Sequence, residues 1–364
     1  MATGWPMKTT YANGDVYSAS DVNDITGTIN LLQTSTLSSQ AGKNAAINGG
    51  FDIWQRGTSI SIGAAAGGYT ADRWQLVTGA SAAHTVSRQA TGDTTNLPNI
   101  QYCARVQRNS GQTGANQQSF AQSLETTNSI PFAGKAVTVS FWARKGANYS
   151  PTSSLLNVYL YSGTGTDQNL LSGGFTGQAS VGGSAVTLTT TWQRFTFTAT
   201  VSSTATQLAL FSYWTTVGTA GAADYYEITG VQLELGSYAT TFSRAGGTIQ
   251  GELAACQRYY YRWTAAGQYQ QVGWGSASQT NTIDVVVPMP VTMRTNVSII
   301  DYSNVAASDG ANASLTGGTL AAPGSTENNS LVQLRYTRTG ATQFRPYVIF
   351  ANGSAAYIGF SAEL

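Results

Sequence analysis

The segment VTVSFWARKG (137–146) sets Val137, Val139, Phe141 and Ala143 on one side of an extended chain and Thr138, Ser140, Trp142 and Arg144 on the other. A period of two is the mark of a strand with one buried face, because successive side chains point to opposite sides of the backbone. The same pattern returns in SLLNVYLYSG, TWQRFTFTATV, TQLALFSYW and DYYEITGVQLELG over 154–236, each run bounded by turn-forming residues. Such strands cannot bury their apolar faces alone, so two antiparallel sheets stacked face to face are the economical solution. A Gly-rich break, SRAGGTIQ (243–250), and a short amphipathic piece, GELAACQRYYYRW, lead to a second set: VGWGSA, NTIDVVVPMPVTM, NVSIIDY, SLVQLRYTR, RPYVIFANG and AAYIGFSAEL. No self-similar period of about 20–50 residues is visible, which argues against a β-helix.

The first 45 residues read differently. Residues 1–19 form an irregular arm, and Ser18 or Ser20 can cap a short helix over SDVNDITGTINLLQT. Val22, Ile25, Ile29 and Leu32 then lie on one stripe, with Asn23, Asp24, Thr28 and Asn30 opposite. A helix this short is marginal alone and must pack on its own sandwich or on copies of itself. The linker-like TSTLSSQAGKNAA that follows favours copies, and hence an oligomer, taken as a trimer.

Composition removes several function classes. A formal charge of +1, with no run of Lys or Arg, supplies no field for a phosphate backbone, so nucleic acid is not an expected partner. Seventeen carboxylates and one histidine, His84, are little material for acid–base or metal chemistry in 364 residues. No GxSxG phrase is present, and no carboxylate pair sits in a recognisable catalytic phrase; His84, in SAAHTVSRQ, is expected on the surface. The chain is therefore read as non-enzymatic. Cys103 and Cys256 lack metal-type spacing and read as buried free thiols. With no signal peptide and no stretch of about 18 apolar residues, synthesis in a cytoplasm without membrane insertion is expected.

Four phrases in order, INGGFDIWQRGTS (47–59), YTADRWQL (69–76), VQLELGSYATTFSR (231–244) and LAACQRYYYR (253–262), together with VPMPVTMR (287–294) and the closing FSAEL, resemble a module recurrent in phage tail-fibre and other virion-surface proteins. Within it, 120–244 resembles the jelly-roll carbohydrate-binding modules of polysaccharide-degrading enzymes, through VSFWARKG, TWQRFTFTATV and ITGVQLELG. The fold expected is all-β: a short N-terminal helix in a virion-anchoring arm (1–45), a jelly-roll β-sandwich (46–245) and a second, smaller C-terminal β-sandwich domain (246–364). The resemblance implies a virion structural protein, a trimeric tail fibre attaching to host-surface glycan, with other virion proteins bound through residues 1–40. The alternatives are a head fibre or capsid-decorating protein of purely architectural role and, further off, a capsule depolymerase. No cofactor is expected. Those modules often hold a structural calcium on a carboxylate pair ahead of the final strand, where this chain has Thr229 and Gly230; Asp52, Asp224 and Glu227 are the carboxylates nearby in sequence.

Sugar recognition needs flat aromatic faces for the apolar side of a pyranose and amides or hydroxyls for its rim. Trp142, Asn157, Tyr159, Tyr161 and Trp214 are the residues expected to form that face, with a subunit interface the equal alternative. The Trp54-Gln55-Arg56 and Arg73-Trp74 phrases are read as scaffold, and Tyr259, Tyr260 and Tyr261 with Arg258, Arg262 and Trp263 as packing between the two domains. In the last domain Trp274, Tyr302 and Tyr347 are further candidates for an exposed tip.

Overall fold

The computed structural model describes residues 42–297, 299–310, 314–323 and 329–364. The expected oligomerising stripe, Val22, Ile25, Ile29 and Leu32, and the rest of the expected virion-anchoring arm up to residue 41, lie outside the described residues. Among the described residues the regular structure is almost wholly antiparallel sheet, as the period-two pattern predicts.

Two six-stranded sheets form the first sandwich. One has the order β1 (Ser59–Ile62), β4 (His84–Ala90), β5 (Tyr102–Arg108), β12 (Tyr225–Leu235), β7 (Ala136–Lys145), β10 (Gln193–Thr200). The other runs β2 (Gly67–Tyr69), β3 (Gln75–Val77), β6 (Gln117–Ser123), β11 (Gln207–Thr215), β8 (Leu155–Gly163), β9 (Ala179–Thr187). The chain passes back and forth between the sheets, which is the jelly-roll connection. Val137, Val139, Phe141 and Ala143 from β7 meet Leu156, Val158 and Leu160 from β8 in one continuous core.

Strand β12 changes phase midway. Tyr226 and Ile228 point inward, and after an irregularity between Thr229 and Gln232 so do Val231 and Leu233. Gly230 carries the bulge at φ +58°, and a Cβ there would press on Ile100 and Trp142. Beyond the bulge β5 no longer pairs with β12, and residues 44–49 take over: Ala45 N–H donates to Leu233 O and Val231 N–H to Gly49 O, both at 2.9 Å. A Cβ on Gly49 would collide with that same Val231 carbonyl, which accounts for this glycine in the INGG phrase. Asn44 completes the join, its amide donating to Val231 O and Ser243 O at 3.0 Å.

The smaller C-terminal domain is a second sandwich. A three-stranded sheet, β13 (Tyr260–Thr264), β21 (Tyr357–Ser361), β16 (Ile299–Ser303), faces a six-stranded one, β17 (Val305–Ser308), β20 (Pro346–Ala351), β14 (Gln271–Gln279), β15 (Thr282–Pro288), β19 (Leu331–Thr337), β18 (Thr319–Ala321). Ile358 and Phe360 of the small sheet share a core with Ile283, Val285, Leu334 and Ile349 of the large one. Besides the four-residue helix α1 (Thr126–Ser129), helix α2 (Ile249–Gln257) links the two domains, its Thr248 cap accepting from Gly251 N–H at 3.1 Å.

At the junction the phrases INGGFDIWQRGTS, YTADRWQL, LAACQRYYYR and FSAEL come together. Glu363 receives the buried guanidinium of Arg73 and, at 3.3 Å, that of Arg56. Arg73 also lies 3.6 Å over the Tyr259 ring and donates to Ser123 O at 2.7 Å; Arg56 lies 3.5 Å over Tyr260. Gln55 bridges Asp72 at 2.6 Å and Tyr260 O at 2.5 Å, and Arg262, stacked 3.5 Å over Tyr357, donates to Arg56 O at 2.8 Å. Glu252 of α2 accepts the backbone N–H of Asn48 and, at 2.7 Å, that of Gly246. Burial of one charge without its partner is costly, so Glu363→Ala and Arg73→Ala are each expected to destabilise the chain by about 3–5 kcal/mol. Urea denaturation checks this, with Arg73→Lys recovering little because a point charge replaces neither the fork nor the stacked plane.

Candidate functional site

Strand β8 alternates strictly: Leu156, Val158 and Leu160 enter the core, and Asn157, Tyr159 and Tyr161 stand on the outer face of their sheet. In β11 the inward set is Leu208, Leu210 and Trp214, so Phe211 and Tyr213 share the outer face with the β8 tyrosines. Register pairs Tyr213 with Asn157, Phe211 with Tyr159 and Ala209 with Tyr161. Four rings result in one cluster. Tyr159 stacks on Tyr213 at 6.1 Å and 11°, Tyr161 meets Phe211 edge-on at 5.5 Å, and Phe211 lies 5.7 Å from Tyr213.

Small residues leave room for this platform. On the far side of β8, Tyr159 pairs with Gly183, and a Cβ at 183 would run into the Tyr159 ring. On the far side of β11, Ser119 and Ala121 pair with Tyr213 and Phe211. Burial, followed by the neighbouring phenols of Tyr159 and Tyr161, raises the Tyr213 phenol above its ordinary value, so its hydroxyl stays protonated and can donate a hydrogen bond.

Two expected members of the face belong elsewhere. Trp214 is 0 % exposed, stacked on Tyr149 at 5.0 Å and met edge-on by His84 at 5.4 Å, because it shares the parity of Leu208 and Leu210. Trp142 is on the opposite sheet, where its outward face is half-buried against Leu97, Ile100, Cys103, Trp192 and Phe242. Thus Asn157, Tyr159 and Tyr161 come together, Trp142 and Trp214 do not join them, and Phe211 and Tyr213 are additions. Their signal was the i, i+2 spacing opposite in phase to Leu208 and Leu210.

The carboxylates near the final strand do not fit a calcium ion. Glu227 is held by Arg105 at 2.6 Å and Arg144 at 2.5 Å, Asp224 by Arg108 at 2.8 Å and Ser150 N–H at 2.9 Å, and Asp52 by Arg244 at 2.8 Å. Each is already neutralised by guanidinium. Thr229, where a ligand would stand, donates to Tyr102 O at 2.6 Å. Among the described residues no cluster of three or more His, Cys, Asp or Glu has metal-holding geometry.

His84 is not a surface residue. It is buried on β4, with Nδ1 2.5 Å from Ala82 O, and Nε2 finds no hydrogen-bond partner among the described residues. Cys103 and Cys256 are both buried and free, and burial pushes both thiols up. Of the tip candidates Tyr347 is buried in the second core, Tyr302 is packed against it, and Trp274 alone is exposed.

No family model matches the sequence, and no curated protein matches it. Among solved structures, a family 4 carbohydrate-binding module is 18 % identical, with 52 % of this chain and 100 % of that one covered and a TM-score of 0.30. The enzymatically active domain of tailspike protein 4 of bacteriophage CBA120 is 10 % identical over 53 % of this chain and 21 % of that one, TM-score 0.31. A Stig cyclase from Fischerella sp. TAU is 12 % identical over 55 % of this chain and 100 % of that one, TM-score 0.33.

Burial, with Arg108 adding to it, lowers the His84 imidazole to about 4, against about 6.5 in an unfolded chain. The folded state therefore holds its full share of stability above pH ~6.5 and loses it as the pH falls toward 4, since only the unfolded chain takes up the proton. Between pH 7 and 5 the loss from this group is about 2 kcal/mol. Denaturation midpoints across that range are expected to fall in the native protein and to flatten in His84→Phe.

Proposed function

We propose that this chain is a non-enzymatic phage virion protein, a trimeric tail fibre or receptor-binding protein, that attaches to host-surface glycan through the Tyr159, Tyr161, Phe211 and Tyr213 face. The observation that carries the reading is the four-ring platform itself. The half-buried rings of Tyr159, Tyr161 and Tyr213, set around the buried Phe211 and beside Asn157 on the outer side of a sheet, offer an apolar surface to a pyranose and hydrogen-bonding groups to its rim. The ordered phrases from 47 to 262 that resemble virion-surface modules support the setting, a protein carried on the virion. The absence of catalysis is supported by the fate of the acids: Asp224, Glu227 and Glu363 are bound to arginine, and His84 is a buried neutral ring. A site of this kind is weak singly. Three copies, aligned through the segment bearing Val22, Ile25, Ile29 and Leu32, would raise the effective concentration of each for its neighbour and supply the strength of attachment.

The architectural reading, a head fibre or capsid-decorating protein, has one observation in its favour. The tyrosines are only half-exposed and already lie against one another, as they would beneath a protein neighbour. Binding of the purified protein to host cells and to a glycan array separates the two. Tyr159→Ala and Tyr213→Ala should each weaken binding by about tenfold or more, the usual cost of truncating an aromatic anchor. Unchanged binding by variants of unchanged mass and melting temperature would remove the sandwich face as the sugar site.

A further inference from the structure

The outer side of the six-stranded sheet in the C-terminal domain carries a second aromatic surface, separate from the sandwich platform. In β15 Ile283, Val285 and Val287 enter the core, which leaves Asp284 and Val286 outside; β19 leaves Gln333 and Arg335 outside by the same alternation. Trp274 of β14 is flanked directly by Val286 on one side and Val348 of β20 on the other, and it is 72 % exposed. Two residues along β20 from Val348, Phe350 bears the ring of Tyr269 at 6.0 Å, and Tyr269 is itself 68 % exposed. Tyr269 holds φ +68°, unusual for a bulky side chain, and its N–H is fixed on Ala351 O at 2.8 Å. Val348 and Phe350 are one two-residue step apart on the same face of β20, about 7 Å, so the two exposed rings that adjoin them share that face.

Beside Trp274 the next row of the sheet is polar. Ser276 pairs with Asp284, and Asp284 pairs with Arg335, whose Nε donates to its Oδ1 at 2.8 Å; Ser278 Oγ donates to Oδ2 at 2.9 Å. The surface is therefore an indole and a phenol next to a balanced, half-exposed ion pair.

We propose that this face is a second carbohydrate site, taking a neutral pyranose oligosaccharide with Trp274 and Tyr269 as stacking platforms and the Asp284–Arg335 pair bonding the sugar hydroxyls. Its size chooses the occupant. Two aromatic side chains of about 150–250 Å² each, two-thirds exposed, with Val286 beside them, offer roughly 400 Å² at most. A stable protein partner needs about 800 Å² on each side and would have to bury the ion pair as well. A sugar covers less and replaces the water at that pair with its own hydroxyls. The net charge of the pair is zero, which suits a neutral ligand over an acidic one.

The test uses the full chain on an array of neutral pyranose oligosaccharides: β-glucan, xylan, mannan, galactan and N-acetylglucosamine series. The Tyr159→Ala/Tyr213→Ala double variant, in which the sandwich platform is disabled, is expected to retain binding to at least one series. Adding Trp274→Ala to it should lower that signal about tenfold or more, and Trp274→Phe should restore part of it. Any of three results overturns the proposal: the double variant binds no series, Trp274→Ala leaves its binding unchanged, or Trp274→Ala lowers the oligomer mass in light scattering, which would make the face a subunit contact. Loss of all binding in the double variant would leave the sandwich site standing and remove only this one.

Discussion

The carboxylate of Glu363 sits between two guanidinium groups, and each of those is laid flat on a tyrosine ring from the start of the second domain. The other contacts between the two sandwiches, from Gln55 to Tyr260 and from Arg262 to Arg56, gather around that arrangement. Neither partner could be buried alone, since an isolated charge in a weakly polar interior is expensive. Arginine is suited to the position because its plane can stack and its fork can bond at the same time, which lets Arg73 satisfy Glu363, Ser123 O and the Tyr259 face together. The contacts are also remote in the chain: Arg56 and Glu363 are 307 residues apart and Gln55 and Tyr260 are 205. Such pairings are costly in loop-closure entropy and are expected to form late in folding.

Much of the fold was legible from alternation alone. VTVSFWARKG announced which of its residues face the core, and SLLNVYLYSG did the same, because a strand with one wet side cannot disguise its period. The jelly-roll order itself came from likeness of phrases and not from the pattern, since pairing partners are chosen across long stretches of sequence. Asn157, Tyr159 and Tyr161 were found by parity. Trp214 was misassigned for a physical reason: Leu208, Leu210 and Trp214 form one apolar face and Phe211 and Tyr213 another, and a strand that is apolar on both sides gives no internal clue to which is wet. Trp142 was assigned outward correctly, yet a covering loop with Leu97 and Ile100 occupies that side of its sheet. His84 shows the limit again, because an imidazole on a strand reads as polar until Trp214 is seen packed against it.

The sandwich face owes its shape to its smallest neighbours. Tyr159 can lie across the adjoining strand only because position 183 has no side chain. The same sheet also omits bulk at Ser119 and Ala121. Platform geometry is thus set from strands β6 and β9, which carry none of the rings, and changes there can retilt a ring without removing it.

The junction has a bearing on how proteins of this build can be recombined. Residues 47–76 supply Arg56 and Arg73, while their partners Tyr259 and Tyr260 come from the start of the second domain and Glu363 from its end. A graft that moved the sandwich by itself would carry away two arginines and leave their ring faces and carboxylate behind. The natural unit of exchange is therefore larger than the jelly roll.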